Sequence, residues 1–127
     1  MAELERNVYT LAGGMPAFKR LAAAFYAGVA DDPVLRPLYP ESLREPEENL
    51  GLFMAQYFGG PPIYSQQRGH PRLRMRHLPF AIGKRERDAW VHQMLKALDT
   101  SGIEEPALSE MRTYFEEAAT FMMNQDQ

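Results

Sequence analysis

Apolar residues recur at steps of three and four in four separate stretches of this chain, and nowhere do they alternate convincingly. Residues 15–30, "MPAFKRLAAAFYAGVA", place Phe18, Leu21, Ala22, Phe25, Tyr26 and Val29 on one helical face. Alanine supports the middle, and the stretch stops at "DDP", where Pro33 disfavours helical geometry just before it. Residues 46–58, "PEENLGLFMAQYF", open with a proline and two glutamates, which suit a helix N-terminus, and then stripe Leu50, Phe53, Met54 and Tyr57. Residues 84–98 carry Trp90, Val91, Met94, Leu95 and Leu98, and residues 106–123 carry Leu108, Met111, Phe115, Ala118, Ala119 and Met122. A weaker pattern in 4–12 predicts a short leading helix before "GG" at 13–14. With few β-branched residues, no strand is expected. The fold class is all-α.

A length of 127 residues suits one domain, 1–127, and neither repeat, low-complexity tract nor linker divides it. Apolar residues at 45% and aromatics at 11% suffice for a core without a staple. Cysteine is absent, which excludes disulfides and thiolate metal sites and points to a reducing, cytoplasmic setting. No signal-like N-terminal pattern and no bilayer-spanning apolar run is present. The formal charge of −3 argues against general nucleic-acid binding, which rests on many phosphate contacts.

Two segments lack the helical period. Residues 31–45, "DDPVLRPLYPESLRE", hold three prolines and read as tight turns. Residues 59–83, "GGPPIYSQQRGHPRLRMRHLPFAIG", are expected to be irregular, yet contain Ile63, Tyr64, Leu73, Met75, Leu78, Phe80 and Ile82. A loop of this length inside a compact domain is usually functional or disordered, and so many apolar residues speak against disorder. Something must pack against it, and a cofactor would serve.

Within that segment, "RGHPRLRMR" crowds four arginines ahead of His77. An isolated histidine near a helix end ordinarily caps it or faces water. The sharper reading is an axial ligand to haem iron through a neutral imidazole nitrogen. Haem carries two propionates, which arginine binds through paired, charge-assisted hydrogen bonds, and an apolar body that must be enclosed. Solvated arginines remain the ordinary alternative. Zinc is disfavoured, because His70, His77 and His92 are the only histidines and no HExxH spacing occurs. His92 lies two positions from Trp90 and is expected to face water. No G-x-S-x-G or phosphate-binding glycine motif is present. A nucleic-acid site on "RGHPRLRMRH" stays open as a rival. Tyr26, Tyr39 and Trp90 read first as core, but each bears a polar hydrogen that seeks a partner when buried. Together they would suit a diatomic ligand with partial negative charge.

"GG" before the second helix, "FY" within it, then "LYP", "QYFGGPPIYS", "RGHPRLRMRH" and "RDAW" follow in order along nearly the whole chain. In this the chain resembles the truncated haemoglobins, specifically group II, often called the O type. Tyr26 and Tyr39 stand 13 residues apart, as do His77 and Trp90, in keeping with that pattern. The resemblance implies a truncated-globin fold, a two-over-two helical sandwich enclosing haem b. It marks His77 as the proximal iron ligand, with Tyr26, Tyr39 and Trp90 as the distal hydrogen-bonding site and Leu50 lining it. It further implies that Phe53, Met54 and Tyr57 flank the porphyrin, and that Tyr64, Arg68, His70 and Arg76 face the propionates. Leu73, Phe80, Ile82 and Met94 would pack around the ring. The loop after "LYP" is a residue shorter than in familiar members, and Pro46 falls where a small distal-gate residue is usual.

The function so implied is binding of dioxygen, carbon monoxide, nitric oxide or similar ligands, of the oxygen-carrier type. The alternative is a haem enzyme, a nitric oxide dioxygenase or peroxidase, supplied by an external reductase. No nucleic acid or membrane partner is expected, and a homo-oligomer is compatible with the sequence.

Overall fold

The structure is a computed structural model that describes residues 7–125. Seven helices and one 3₁₀ turn run through them without a strand. In chain order these are α1 (Val8–Ala12), α2 (Gly14–Ala30), the 3₁₀ turn (Arg36–Leu38), α3 (Arg44–Tyr57), α4 (Ile63–Arg68), α5 (Leu73–His77), α6 (Lys84–Asp99) and α7 (Ala107–Phe121). The four long helices fall where the period predicts them. Of the leading stretch 4–12, residues 4–6 lie outside the described part of the chain.

α2 packs along α3, α6 packs along α7, and α2 also crosses α6, so one helix pair lies over another. Small residues permit the close approaches. Gly51 of α3 lies over Ala22, and Gly28 of α2 receives the Gln93 side chain from α6. The core between the pairs is made of the predicted stripes: Phe18, Leu21, Phe25, Val29, Met54, Met94, Leu98 and Met111 are all fully buried. Enclosing each such side chain stabilises the fold by roughly 1.5–3 kcal/mol.

α3 begins two residues before its expected start at Pro46. The first-turn N–H groups of a helix have no intrahelical partner, so a proline there forfeits no hydrogen bond. The 31–45 segment turns as expected, with added order. Asp32 Oδ1 accepts from the N–H groups of Val34 at 2.8 Å and Leu35 at 3.1 Å. Its other oxygen accepts from Gln93 Nε2 at 2.9 Å. Burial pushes the Asp32 carboxyl up, but Gln93 and these N–H groups outweigh it and hold the group below the usual carboxylate range.

The 59–83 segment is less irregular than expected, since it contains α4 and α5. α4 is pinned to α3 by Gln56, which donates from Nε2 to Ser65 Oγ at 2.7 Å and accepts from Ser65 N–H at 2.9 Å. Tyr64 is buried, its ring edge-on to Phe53 at 5.7 Å. The preceding glycines serve a close approach: a Cβ at Gly60 would lie 2.5 Å from the Tyr9 ring of α1.

Candidate functional site

A cavity of about 380 Å³ opens between the helix pairs, walled by α2, α3, α5, α6 and α7 together with the turns after α2 and α5. Its size falls in the range of about 300–1,000 Å³ usual for small-molecule and cofactor sites. Tyr26, Tyr39, Leu50, Phe53, Met54, Tyr64, Leu73, His77, Phe80, Ile82 and Trp90 line it, as does Pro46. Residues far apart in the chain thus meet on one largely apolar wall.

His77 ends α5, and its ring enters the cavity from that side. Its Nδ1 lies 2.6 Å from the Leu73 carbonyl one turn back. A carbonyl only accepts, so Nδ1 carries a proton, and in the neutral ring Nε2 is the nitrogen with the lone pair. That is the tautomer required of a histidine offered to a metal. α5 starts from Arg72, whose φ of 46° is left-handed and uncommon for a non-glycine residue.

Also on this wall, Tyr26 of α2, Tyr39 after the 3₁₀ turn, and Trp90 of α6 form a cluster. The Tyr26 and Tyr39 rings meet edge to face at 5.4 Å. Trp90 is fixed between Phe25 at 5.2 Å and Phe115 at 5.9 Å. Burial, reinforced by Tyr39, holds the Tyr26 phenol far above its ordinary range. Burial also raises Tyr39, partly offset by the polar hydrogens of the neighbouring Tyr26 and Trp90. Both phenols therefore keep their protons at neutral pH. Arg36 steadies the turn by donating to the carbonyls of Tyr39 at 3.3 Å, Pro40 at 3.0 Å and Glu41 at 2.7 Å.

Five residues expected around a cofactor stand off this wall. Tyr57 is 53% exposed, its ring stacked on Tyr114 at 4.0 Å. Met94 is 0% exposed but lies inside the core, behind the cavity lining. Arg68 pairs with Glu45 at 3.6 Å. His70 is exposed and accepts from Arg72 N–H at 3.1 Å. Arg76 donates to the carbonyls of Pro71 at 2.7 Å and Arg68 at 3.0 Å, bracing the loop before α5. A carbonyl left free by a turn can also satisfy a guanidinium, which composition could not reveal. The wall also includes residues not expected at a site: Leu35, Leu38, Asn49, Glu86 and Arg87, Tyr114, Phe115, Ala118 and Ala119 of α7, and Met122 just beyond it. Several of these belonged to predicted stripes. A stripe that faces a core also faces any cavity within it, and periodicity cannot separate the two.

No group of three His, Cys, Asp or Glu side chains converges among the described residues. A metal at His77 would therefore need its other ligands from a cofactor, and a porphyrin supplies four in a plane. The apolar wall, the single imidazole and the buried phenols fit haem.

Such a helical sandwich, with one histidine offered to an apolar cavity, defines the class of haem globins. The bacterial-like globin family model matches residues 7–124. The chain is 39% identical over 112 residues to the group 2 truncated hemoglobin YjbI of Bacillus subtilis, covering 88% of this chain and 85% of that protein. Its fold matches the crystal structure of the hemoglobin of Chloroflexus aurantiacus with a TM-score of 0.93 and 54% identity, over 95% of this chain and 100% of that one. The group II truncated hemoglobin of Bacillus anthracis matches with a TM-score of 0.92 and 32% identity, over 95% of this chain and 93% of that one. The chain belongs to the bacterial-like globins and, within them, to the group II truncated haemoglobins. It is a globin of the ligand-binding kind, with haem as its cofactor.

Proposed function

We propose that this protein holds haem b with His77 Nε2 as the axial iron ligand and binds dioxygen or a related diatomic on the opposite face. The observation that carries this reading is the 2.6 Å contact between His77 Nδ1 and the Leu73 carbonyl, which leaves Nε2 free toward the cavity. Haem supplies an iron with one open position for a small ligand. The chain supplies the rest. Leu50, Phe53, Met54 and Phe80 exclude water, and Leu73 and Ile82 pack beside the histidine. Tyr26, Tyr39 and Trp90 bring three polar hydrogens to the cavity as donors for a bound ligand. Pro46 offers no donor, which leaves ligand retention to these aromatics.

A hydrogen bond to a partly charged acceptor is worth roughly 1.5–3 kcal/mol, and each ~1.4 kcal/mol is tenfold in rate. Donors of this kind make ligand release slow, which suits ligand chemistry or sensing better than bulk transport. Turnover of nitric oxide or peroxide would need electrons from an external reductase. A steady-state assay with an electron donor separates turnover from simple binding.

The decisive experiment is an absorption spectrum of purified protein before and after dithionite and carbon monoxide. A Soret band that shifts on reduction and again on ligation is expected, and His77→Ala should abolish the five-coordinate ferrous signature. Colourless protein that refuses added hemin would end the reading.

A further inference from the structure

We propose that Asn124 is a positioning residue for His77. The segment that follows α7 clasps the histidine's helix and the turn beyond it, setting the imidazole's orientation and the hold on haem. This rests on His77 being the axial ligand. The question arises because α5 has only five residues and none of them is buried. A helix that short has no stability of its own, and packing does not supply it here. Prolines flank it at Pro71 and Pro79.

Hydrogen bonds from the far end of the chain fill the gap. Asn124 Nδ2 donates to the Phe80 carbonyl at 2.8 Å and to the His77 carbonyl at 3.4 Å. Asn124 Oδ1 accepts from Ile82 N–H at 2.9 Å. In the backbone, the N–H groups of Asn124 and Gln125 both donate to the Ile82 carbonyl, at 2.8 and 3.1 Å. On the other side of the histidine, Arg74 donates to the carbonyls of Phe121 and Met123 and lies over the Phe121 ring at 5.4 Å. His77 is therefore gripped from before and after by one tail.

The carboxamide matters because it offers two N–H donors and one carbonyl acceptor, all three of them used. Aspartate keeps the size but forfeits both donations, and alanine forfeits everything. Since the grip lands on the His77 carbonyl itself, loosening it frees the backbone that carries the ring. The bond from Nδ1 to Leu73 then no longer fixes a single ring orientation.

The test uses the full chain loaded with haem, comparing Asn124→Ala and Asn124→Asp with the parent. Hemin transfer to an apomyoglobin acceptor should quicken roughly tenfold, the scale of two lost neutral hydrogen bonds. The iron–histidine stretching band of the ferrous protein in resonance Raman should shift or broaden, which a change in global stability alone would not produce. Should Asn124→Ala not fold, Asn124→Asp decides. Parent-like transfer and an unchanged band in Asn124→Asp would overturn the clasp. If the parent takes up no haem, the axial-ligand reading fails separately. Amide exchange of residues 73–82 in haem-free protein then judges the clasp, with unchanged protection in the variants counting against it.

Discussion

Tyr39 has a burden out of proportion to its place in a turn. Its ring meets Tyr26 edge to face, and burial keeps both phenols protonated. Removing the Tyr39 hydroxyl or the Trp90 indole N–H takes one donor from the proposed ligand site. Tyr39→Phe and Trp90→Phe should therefore each speed dioxygen dissociation by about 10- to 100-fold, on the usual worth of a hydrogen bond to a charged acceptor. Stopped-flow dissociation measures both. Parent-like rates in the two variants would remove these residues from the ligand's retention. The residue-level surprise lies with the arginines. Arg68 meets Glu45, while Arg74 and Arg76 brace backbone carbonyls, so the basic run acts first on the chain that presents His77.

Elements meet here through glycines of two kinds, and they should respond oppositely to one added methyl. Gly51 lies within α3, where a Cβ would sit 3.7 Å from Ala22 and from the Phe18 carbonyl, an ordinary contact. Glycine weakens a helix interior by about 0.5–1 kcal/mol relative to alanine, so Gly51→Ala should raise stability by about that amount. At Gly60 a Cβ would lie 2.5 Å from the Tyr9 ring and 2.8 Å from the Ala55 carbonyl. Gly60→Ala should cost about 1–3 kcal/mol, as overpacking does. Urea unfolding of the two variants reads both signs; equal midpoints would contradict the packing of α1 against the end of α3.

For the whole molecule, buried phenols set an alkaline limit. Burial, with help from Tyr57, pushes Tyr114 up to about 12 from its ordinary 10. The unfolded chain then loses this proton before the folded one does. The contribution of Tyr114 is complete below pH 10 and is lost as pH rises through about 12. Tyr26 acts in the same direction. Unfolding free energy should fall with pH across that window, and Tyr114→Phe should flatten the fall in denaturant titrations at several pH values. A parallel decline in parent and variant would show that the Tyr114 ring stays accessible to hydroxide.

What was legible in the sequence was local. The helical period is written within each stretch, so the four long helices and the core faces of Phe18, Phe25, Met54 and Phe115 followed from spacing alone. His77, Tyr26, Tyr39 and Trp90 stood out for their chemistry in an apolar setting, and the fold brings all four to one cavity. α4 and α5 were not, because six and five residues are too few to display a period. The cavity wall and the partners of the arginines depended on which segments come together. Asn124 is the sharpest case, since its carboxamide, past the last helix, meets His77, Phe80 and Ile82 from 47, 44 and 42 positions away. Side-chain period is fixed by backbone geometry between neighbours, whereas a hydrogen bond's worth depends on who arrives opposite, and only the packed chain decides that.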